Sequence, residues 1–294
     1  MSDLVIRPLV AGEEHVFDSM PDPLPDLRQV AYADGIAGGG YRPETTWVAL
    51  RAGRVVGRAA WLRPPGAVGA PWLERFDLDA EPEVGADLLR AAHLALGGPH
   101  PYYAALPAHW RRRPEVLAVV RAPMAAARLA GLVERGERVR CSWTGTPLPA
   151  SSGRYGFRTP VDTAEIDDLV ARIAEPDVLT GAEIASAVGG VDLATDPLAW
   201  LGDATERWRV AVRDGEPVGL AGTFGDACYP LLAYLGLLDE AARPELLAEA
   251  VRVLAADGAY EVIADVDAHR VAVRAELERT GFRQVRSRVT FAAN

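Results

Sequence analysis

Hydrophobic and polar positions alternate in two rhythms along this chain, a period of two and a period near 3.6. Trp47–Arg51 and Val55–Leu62 have the short period and read as a hairpin turning at Ala52-Gly53. Val5–Leu9, Trp72–Leu78, Tyr102–Leu106 and Glu137–Trp143 read as further strands. Pro82–Leu96 has the long period. Val84, Leu88, Leu89 and Ala92 fall on one face, Pro82 sits in the first turn, and Gly97-Gly98 stops the helix. Glu115–Ala130 is a second helix, ended by Gly131. Between residues 11 and 42, Pro21, Pro23, Pro25 and Gly38-Gly39-Gly40 allow only short, broken helices.

The same rhythms then return. Strands are predicted over Tyr155–Arg158, Trp208–Arg213, Val218–Phe224, Tyr229–Leu238, Glu261–Val266 and Arg283–Phe291. Helices are predicted over Thr163–Ala174, Thr180–Val188, Pro244–Ala256 and Ala268–Thr280. Asp162 is the expected N-cap of the first of these, with Glu165 as its capping-box partner. Each half therefore runs roughly β-α-α-β-β-β-α-β-α-β. The recurrence extends to residue identity. Val48-Ala49-Leu50-Arg51-Ala52-Gly53-Arg54-Val55-Val56-Gly57 and Val210-Ala211-Val212-Arg213-Asp214-Gly215-Glu216-Pro217-Val218-Gly219 match at six of ten positions without a gap. Leu129-Ala130-Gly131-Leu132-Val133 is echoed by Arg279-Thr280-Gly281-Phe282-Arg283. A period near 150 residues is that of a duplicated domain. Thr146–Gly153 is rich in Pro, Ser and Gly and reads as the linker, so the expected domains are 1–148 and 154–294. The fold class is α/β, in two tandem domains, each a mixed, mostly antiparallel sheet flanked by helices.

Composition narrows the partners. The 294 residues carry a net charge of −10, which disfavours nucleic acid and anionic membrane as partners. No apolar run is long enough to span a bilayer, and Met1–Arg7 has no apolar signal core, which predicts a cytoplasmic protein. Cys141 and Cys228 lie one in each half, read as buried free thiols, and no metal-ligand spacing is present.

Leu277-Glu278-Arg279-Thr280-Gly281-Phe282-Arg283-Gln284-Val285 is similar to the helix-to-strand exit of the GCN5-related N-acetyltransferase (GNAT) superfamily. The hairpin at residues 212–219 also resembles that family, and the whole chain resembles a tandem member with two GNAT-like domains. The resemblance implies acyl transfer from acetyl-CoA, or another acyl-CoA, to an amine on a small molecule. It implies that the fourth strand splays from the fifth and takes the pantetheine arm in the gap. The following helix start would then meet the pyrophosphate. Glu240-Ala241-Ala242-Arg243-Pro244-Glu245-Leu246-Leu247 stands where the family has a glycine-rich loop, with one Arg and no Gly. In the first half that place is Ala80-Glu81-Pro82-Glu83-Val84-Gly85-Ala86-Asp87, with carboxylates and no base. The acyl-CoA is therefore assigned to the second half, through Leu237, Leu238, Ala241, Ala242, Arg243, Glu245 and Leu246. The first half is expected to be degenerate.

The tyrosine acid common in the family is replaced by Leu277 in one half and Ala127 in the other. That leaves Tyr234 as a hydrogen-bond partner for the thiolate or acceptor, or as a core aromatic. Asp265, Asp267 and His269 alternate at a strand exit. Asp265 with His269 is a candidate general base; alternatively Asp267 caps the next helix and the other two are solvated. Glu74 or Asp77 could serve in the first half, and Arg111-Arg112-Arg113 could meet a phosphate or form a charged turn. The assembly is expected to be a monomer with pseudo-dimeric halves, or a homodimer. Two other readings of the same fold are a non-catalytic small-ligand binder and an enzyme using a different acyl donor.

Overall fold

The computed structural model describes residues 4–27, 31–225 and 229–294; Cys228 lies outside them. In chain order the first half contains β1 (Leu4–Pro8), α1 (Glu14–Asp18), α2 (Tyr32–Ala37), β2 (Thr46–Arg51), β3 (Arg54–Leu62), β4 (Trp72–Leu78), α3 (Pro82–Ala95), β5 (Tyr102–Pro107), α4 (Pro114–Leu129) and β6 (Val133–Trp143). The second half contains β7 (Gly156–Arg158), α5 (Thr163–Arg172), β8 (Val178–Leu179), α6 (Ala182–Ile184), α7 (Leu198–Leu201), β9 (Trp208–Arg213), β10 (Glu216–Phe224), β11 (Leu231–Leu237), α8 (Arg243–Ala256), β12 (Val262–Asp267), α9 (Val271–Arg279) and β13 (Arg283–Ala292).

The duplication is visible in the backbone irregularities. Ala52 and Gly53 turn the first hairpin with φ of 51° and 77°, and Asp214 and Gly215 turn the second with 53° and 88°. Two positive φ values match the twist of a two-residue hairpin. Register shifts fall at Ala49/Leu50 and Ala60/Trp61 in one half, and at Pro217/Gly219 and Gly222/Thr223 in the other. Gly57 and Gly219 close the repeated motif for a packing reason. A Cβ on Gly57 would stand 3.1 Å from Leu78, and one on Gly219 would stand 3.0 Å from both Leu237 and Leu246. Each glycine lets the next helix lie close on its hairpin.

The two compact units are residues 1–137 with 287–294, and residues 138–286. They differ from the linker-based 1–148 and 154–294 by an exchange of strand ends. In the first unit the strand order is β1-β2-β3-β4-β5 and then the end of β13. Val289 and Phe291 are fully buried there among Leu73, Phe76, Leu88, Tyr102 and Met124, and Phe291 stacks on Tyr102 at 5.6 Å. In the second unit the order is β6-β12-β11-β10-β9-β7. There Val139, Cys141 and Trp143 of β6 pair antiparallel with Val266, Ala264 and Val262 and join the core under α8 and α9. Burial pushes the Cys141 thiol up to about 12. Alternation in a strand states which face is apolar and not which edge it joins, so the exchange was not readable from the pattern.

Most predicted elements form. Asp162 caps α5 by accepting from the Glu165 N–H at 3.0 Å. The helix expected over Thr180–Val188 is different: α6 is one turn at Ala182–Ile184 continued by a π turn, and Val178–Leu179 is a strand. The strand expected from Tyr229 begins at Leu231, and Tyr229 is exposed.

Two outcomes test this architecture. Phe291→Ala should destabilise the first unit by about 3–5 kcal/mol. Denaturant unfolding with hydrogen exchange should show lost protection in β4 and β5 while β10 and β11 keep theirs. The second concerns His93, which is buried against Trp61 with an Nε2 that has no partner among the described residues. Burial, then the charge of His100, pushes its pKa from 6.5 down to about 4. The unfolded chain binds a proton that the folded chain refuses. Its contribution is complete above pH 6.5 and is lost as pH falls toward 4, at up to ~1.4 kcal/mol per pH unit. His93→Phe should flatten most of that slope in denaturant titrations between pH 7 and 4.5.

Candidate functional site

β11 and β12 run parallel and are in register at Leu231 and Ile263, near their starts. Beyond that point they splay, and the gap holds a short piece of the same chain. β8 lies antiparallel on β11, with Leu179 opposite Tyr234 and Val178 opposite Leu235. The Asp177 N–H donates to the Leu235 carbonyl at 2.7 Å, and the Thr180 N–H to the Ala233 carbonyl at 2.9 Å. At the deep end the Thr180 hydroxyl donates to the Leu232 carbonyl and accepts from the Asp265 N–H at 2.9 Å, touching both walls of the gap. At the shallow end the Asp177 carboxylate takes Arg243 Nε at 2.6 Å on one oxygen and Arg270 Nη2 at 2.7 Å on the other. Arg270 also donates to the Pro176 carbonyl at 2.5 Å. Residues 176–180 thus form a strap, amide-paired along its length and anionic where it meets the start of α8.

Arg243 is where the sequence placed it. Its partial burial works to lower its pKa, and the Asp177 and Glu240 carboxylates overcome this and raise it. The rest of the expected cradle is engaged locally. The Ala241 N–H donates to the Asp239 carboxylate at 3.1 Å and the Ala242 N–H to the Asp239 carbonyl at 3.0 Å. The Glu245 carboxylate accepts from Ser151 and Ser152. Leu237 pairs with Gly219, the Leu238 N–H donates to the Val218 carbonyl, and Leu246 is fully buried.

The three expected catalytic groups sit in three different surroundings. Tyr234 is fully buried against Trp208, and its hydroxyl has no hydrogen-bond partner among the described residues. Burial raises its pKa strongly. Asp265 is 5% exposed, and both its oxygens accept from Arg140 of β6 at 2.8 Å. Asp267 faces Arg138 at 3.3 Å on the same strand pair. β12 ends at Asp267, so His269 leaves the alternation and is exposed in the following turn. Asp265, the carboxylate that looked like a base, is, like Asp267, the cross-strand partner of an arginine on a strand from the other half, which no spacing within the second half could reveal.

The first unit repeats the gap. β4 and β5 are parallel and in register at Leu73 and Tyr102, and Pro23 and Leu24 line a small cavity with Phe76, Tyr102, Ala104 and Met124. Only about 30 Å³ remains, room for a water or two. Arg58, 2% exposed, binds Asp77 at 2.8 Å, Asp22 at 3.3 Å, and the Phe17 and Met20 carbonyls. Asp77 is therefore a buried structural partner, and Glu74 accepts from the Trp72 indole at 2.7 Å. At the start of α3, Glu81 and Asp79 are held by Arg51 and Arg54. A Cβ on Gly85 would come within 2.8 Å of Ala126 and Leu78, so that glycine serves helix packing. Arg111 pairs with Glu137 and lies over the Trp110 ring. A sequence signal for both gap fillers existed. Pro21-Asp22-Pro23-Leu24 and Pro176-Asp177-Val178-Leu179 share Pro-Asp-x-Leu.

The fold matches a GCN5-related N-acetyltransferase from Sphaerobacter thermophilus over 98% of this chain and 95% of that one, at 14% identity and a TM-score of 0.56. The chain has the GNAT fold. Its splayed parallel strand pair, flanked by a hairpin with a matching register shift, occurs twice, giving two GNAT-like halves. A tandem GNAT protein from the clavulanic acid biosynthesis pathway aligns over 99% of this chain and 98% of its own length, at 18% identity and a TM-score of 0.47. No family model and no curated protein matches the chain. Among the described residues no cluster of His, Cys, Asp and Glu could hold a metal, and no helix is long and apolar enough to cross a membrane.

Tyr234→Phe tests the core reading of that residue. Removing a buried hydroxyl without a partner should leave stability unchanged or raise it by about 1 kcal/mol. Thermal unfolding of the two proteins decides this, and a loss above that size would show the hydroxyl to be bonded.

Proposed function

We propose that the chain is an acyltransferase that takes an acyl-CoA in the lane between β11 and β12 and transfers its acyl group to an amine of a small molecule. One observation carries this reading. The lane already holds an extended, amide-bearing segment whose anionic end rests on Arg243 and Arg270. A pantetheine arm with a pyrophosphate is an extended, amide-bearing chain with an anionic end. The donor set therefore fits this co-substrate in kind. The Ala233 and Leu235 carbonyls would accept from the pantetheine amides, and Arg243 and Arg270 would meet the phosphates. The bound thioester supplies an activated carbonyl. The chain's own part is to align that carbonyl along β11 and hold the anionic end at the start of α8.

A second reading, a non-catalytic ligand binder, is favoured by the proton chemistry of the site. Tyr234 is enclosed in the core and Asp265 is held by Arg140, so neither is placed to move a proton.

Calorimetric titration of the full chain with acetyl-CoA and with CoA separates the readings. Acyl transfer predicts one site per chain, at least tenfold weaker binding in Arg243→Gln, and unchanged binding in Glu83→Gln. Thiol release with a panel of small amines should follow binding. Absence of heat at millimolar CoA, in the wild type and in a variant with a loosened strap, would end the acyl-CoA reading.

A further inference from the structure

Residues 176–180 have the placement of a ligand and the covalent attachment of a loop. From the deep end outward, the strap presents a hydroxyl that bridges β11 and β12, two residues paired along β11, and a carboxylate on two arginines. We propose that this strap is a built-in competitor for the acyl-CoA lane, released when the co-substrate binds. The inference rests on the acyl-CoA reading above, since it assigns the same lane.

Three observations support displacement rather than permanent closure. First, the strap forms only two residues of strand, bounded by Pro176, which has no N–H to donate, and by Gly181 at a φ of 82°. The backbone amides of Asp177 and Thr180 tie it to β11, so the ladder that has to break is short. Second, its charged anchor is at the mouth of the gap. Arg243 and Arg270 keep 13% and 15% of their side-chain surface exposed. When Asp177 departs, incoming phosphate oxygens can replace its carboxylate on the same guanidinium groups, so neither arginine is left without an anion.

The third observation is the contrast with the first unit. The matching Pro21-Asp22-Pro23-Leu24 segment is followed by Pro25, and Pro23 and Pro25 cannot donate to β4. Its aspartate is bound to Arg58, whose side chain is 3% exposed and is also held by Asp77 and two carbonyls. The difference lies in the cation: the Asp22 side chain is 25% exposed, but its arginine is closed to solvent, so an incoming anion has no guanidinium to take over. The shared Pro-Asp-x-Leu motif thus meets a sealed arginine in one half and a part-exposed arginine pair in the other.

The experiment compares wild type, Asp177→Asn and Thr180→Val in the full chain, by CoA titration and by hydrogen exchange of the 175–182 peptide with and without CoA. Asp177→Asn is nearly isosteric and weakens the anchor, while Thr180→Val removes the deep bridge. Each should bind CoA at least tenfold more tightly than wild type. In the wild type, saturating CoA should speed exchange of the Asp177 and Thr180 amides at least tenfold, a result that needs no variant. CoA binding with equal affinity in all three proteins, and strap amides that keep their protection in the complex, would overturn the strap while leaving the acyl-CoA reading in place. No binding to any of the three would overturn that reading and the strap with it.

Discussion

The second unit is organised around one carboxylate. Asp177 is 4% exposed and accepts from two guanidinium groups, one at the start of α8 and one just before α9. Burying that charge is tolerable only because both of its oxygens are matched. The match fixes where α8 begins relative to β11, keeps the splayed strands from closing on each other, and holds the segment between α5 and α6 against the sheet. A gap between parallel strands exposes backbone carbonyls that must be satisfied by something. Here the chain satisfies them itself.

A second set of ion pairs works through strand pairing. Arg140 and Arg138 sit opposite Asp265 and Asp267 on β6 and β12. Opposite charges directly across a strand pair favour this register over a slip of one residue, which would set Arg140 opposite Ala264 or Val266 and leave both charges without a partner. Nearby, Tyr229 is exposed and its hydroxyl accepts from Arg140. The residues that suggested acid–base chemistry thus specify alignment.

The sequence was most legible where structure is local. The hairpin repeats, the helix limits at α3 and α8 and the Asp162 cap follow from spacing and turn residues, and they formed as read. Arg243 does stand at the start of α8, the position that the resemblance implied for it. Long-range facts were hidden. Val139, Cys141 and Trp143 look the same whether they join their own half or the other. Thr180-Gly181-Ala182-Glu183 reads as the start of a helix, and that reading concealed the strap just before it. Asp177 gave no periodic signal, and only its repetition as Asp22 within Pro-Asp-x-Leu could have marked it.

The exchange of strand ends also constrains the history of the chain. After a duplication, one copy is ordinarily able to drift or be lost while the other continues. Here Val289 and Phe291 complete the first unit, and Val139, Cys141 and Trp143 complete the second. Each copy holds a piece the other needs to fold, so a gene encoding only one of them would yield an apolar overhang beside an unfilled edge. The two halves are bound to a common fate by inheritance, whatever either of them contributes to the chemistry.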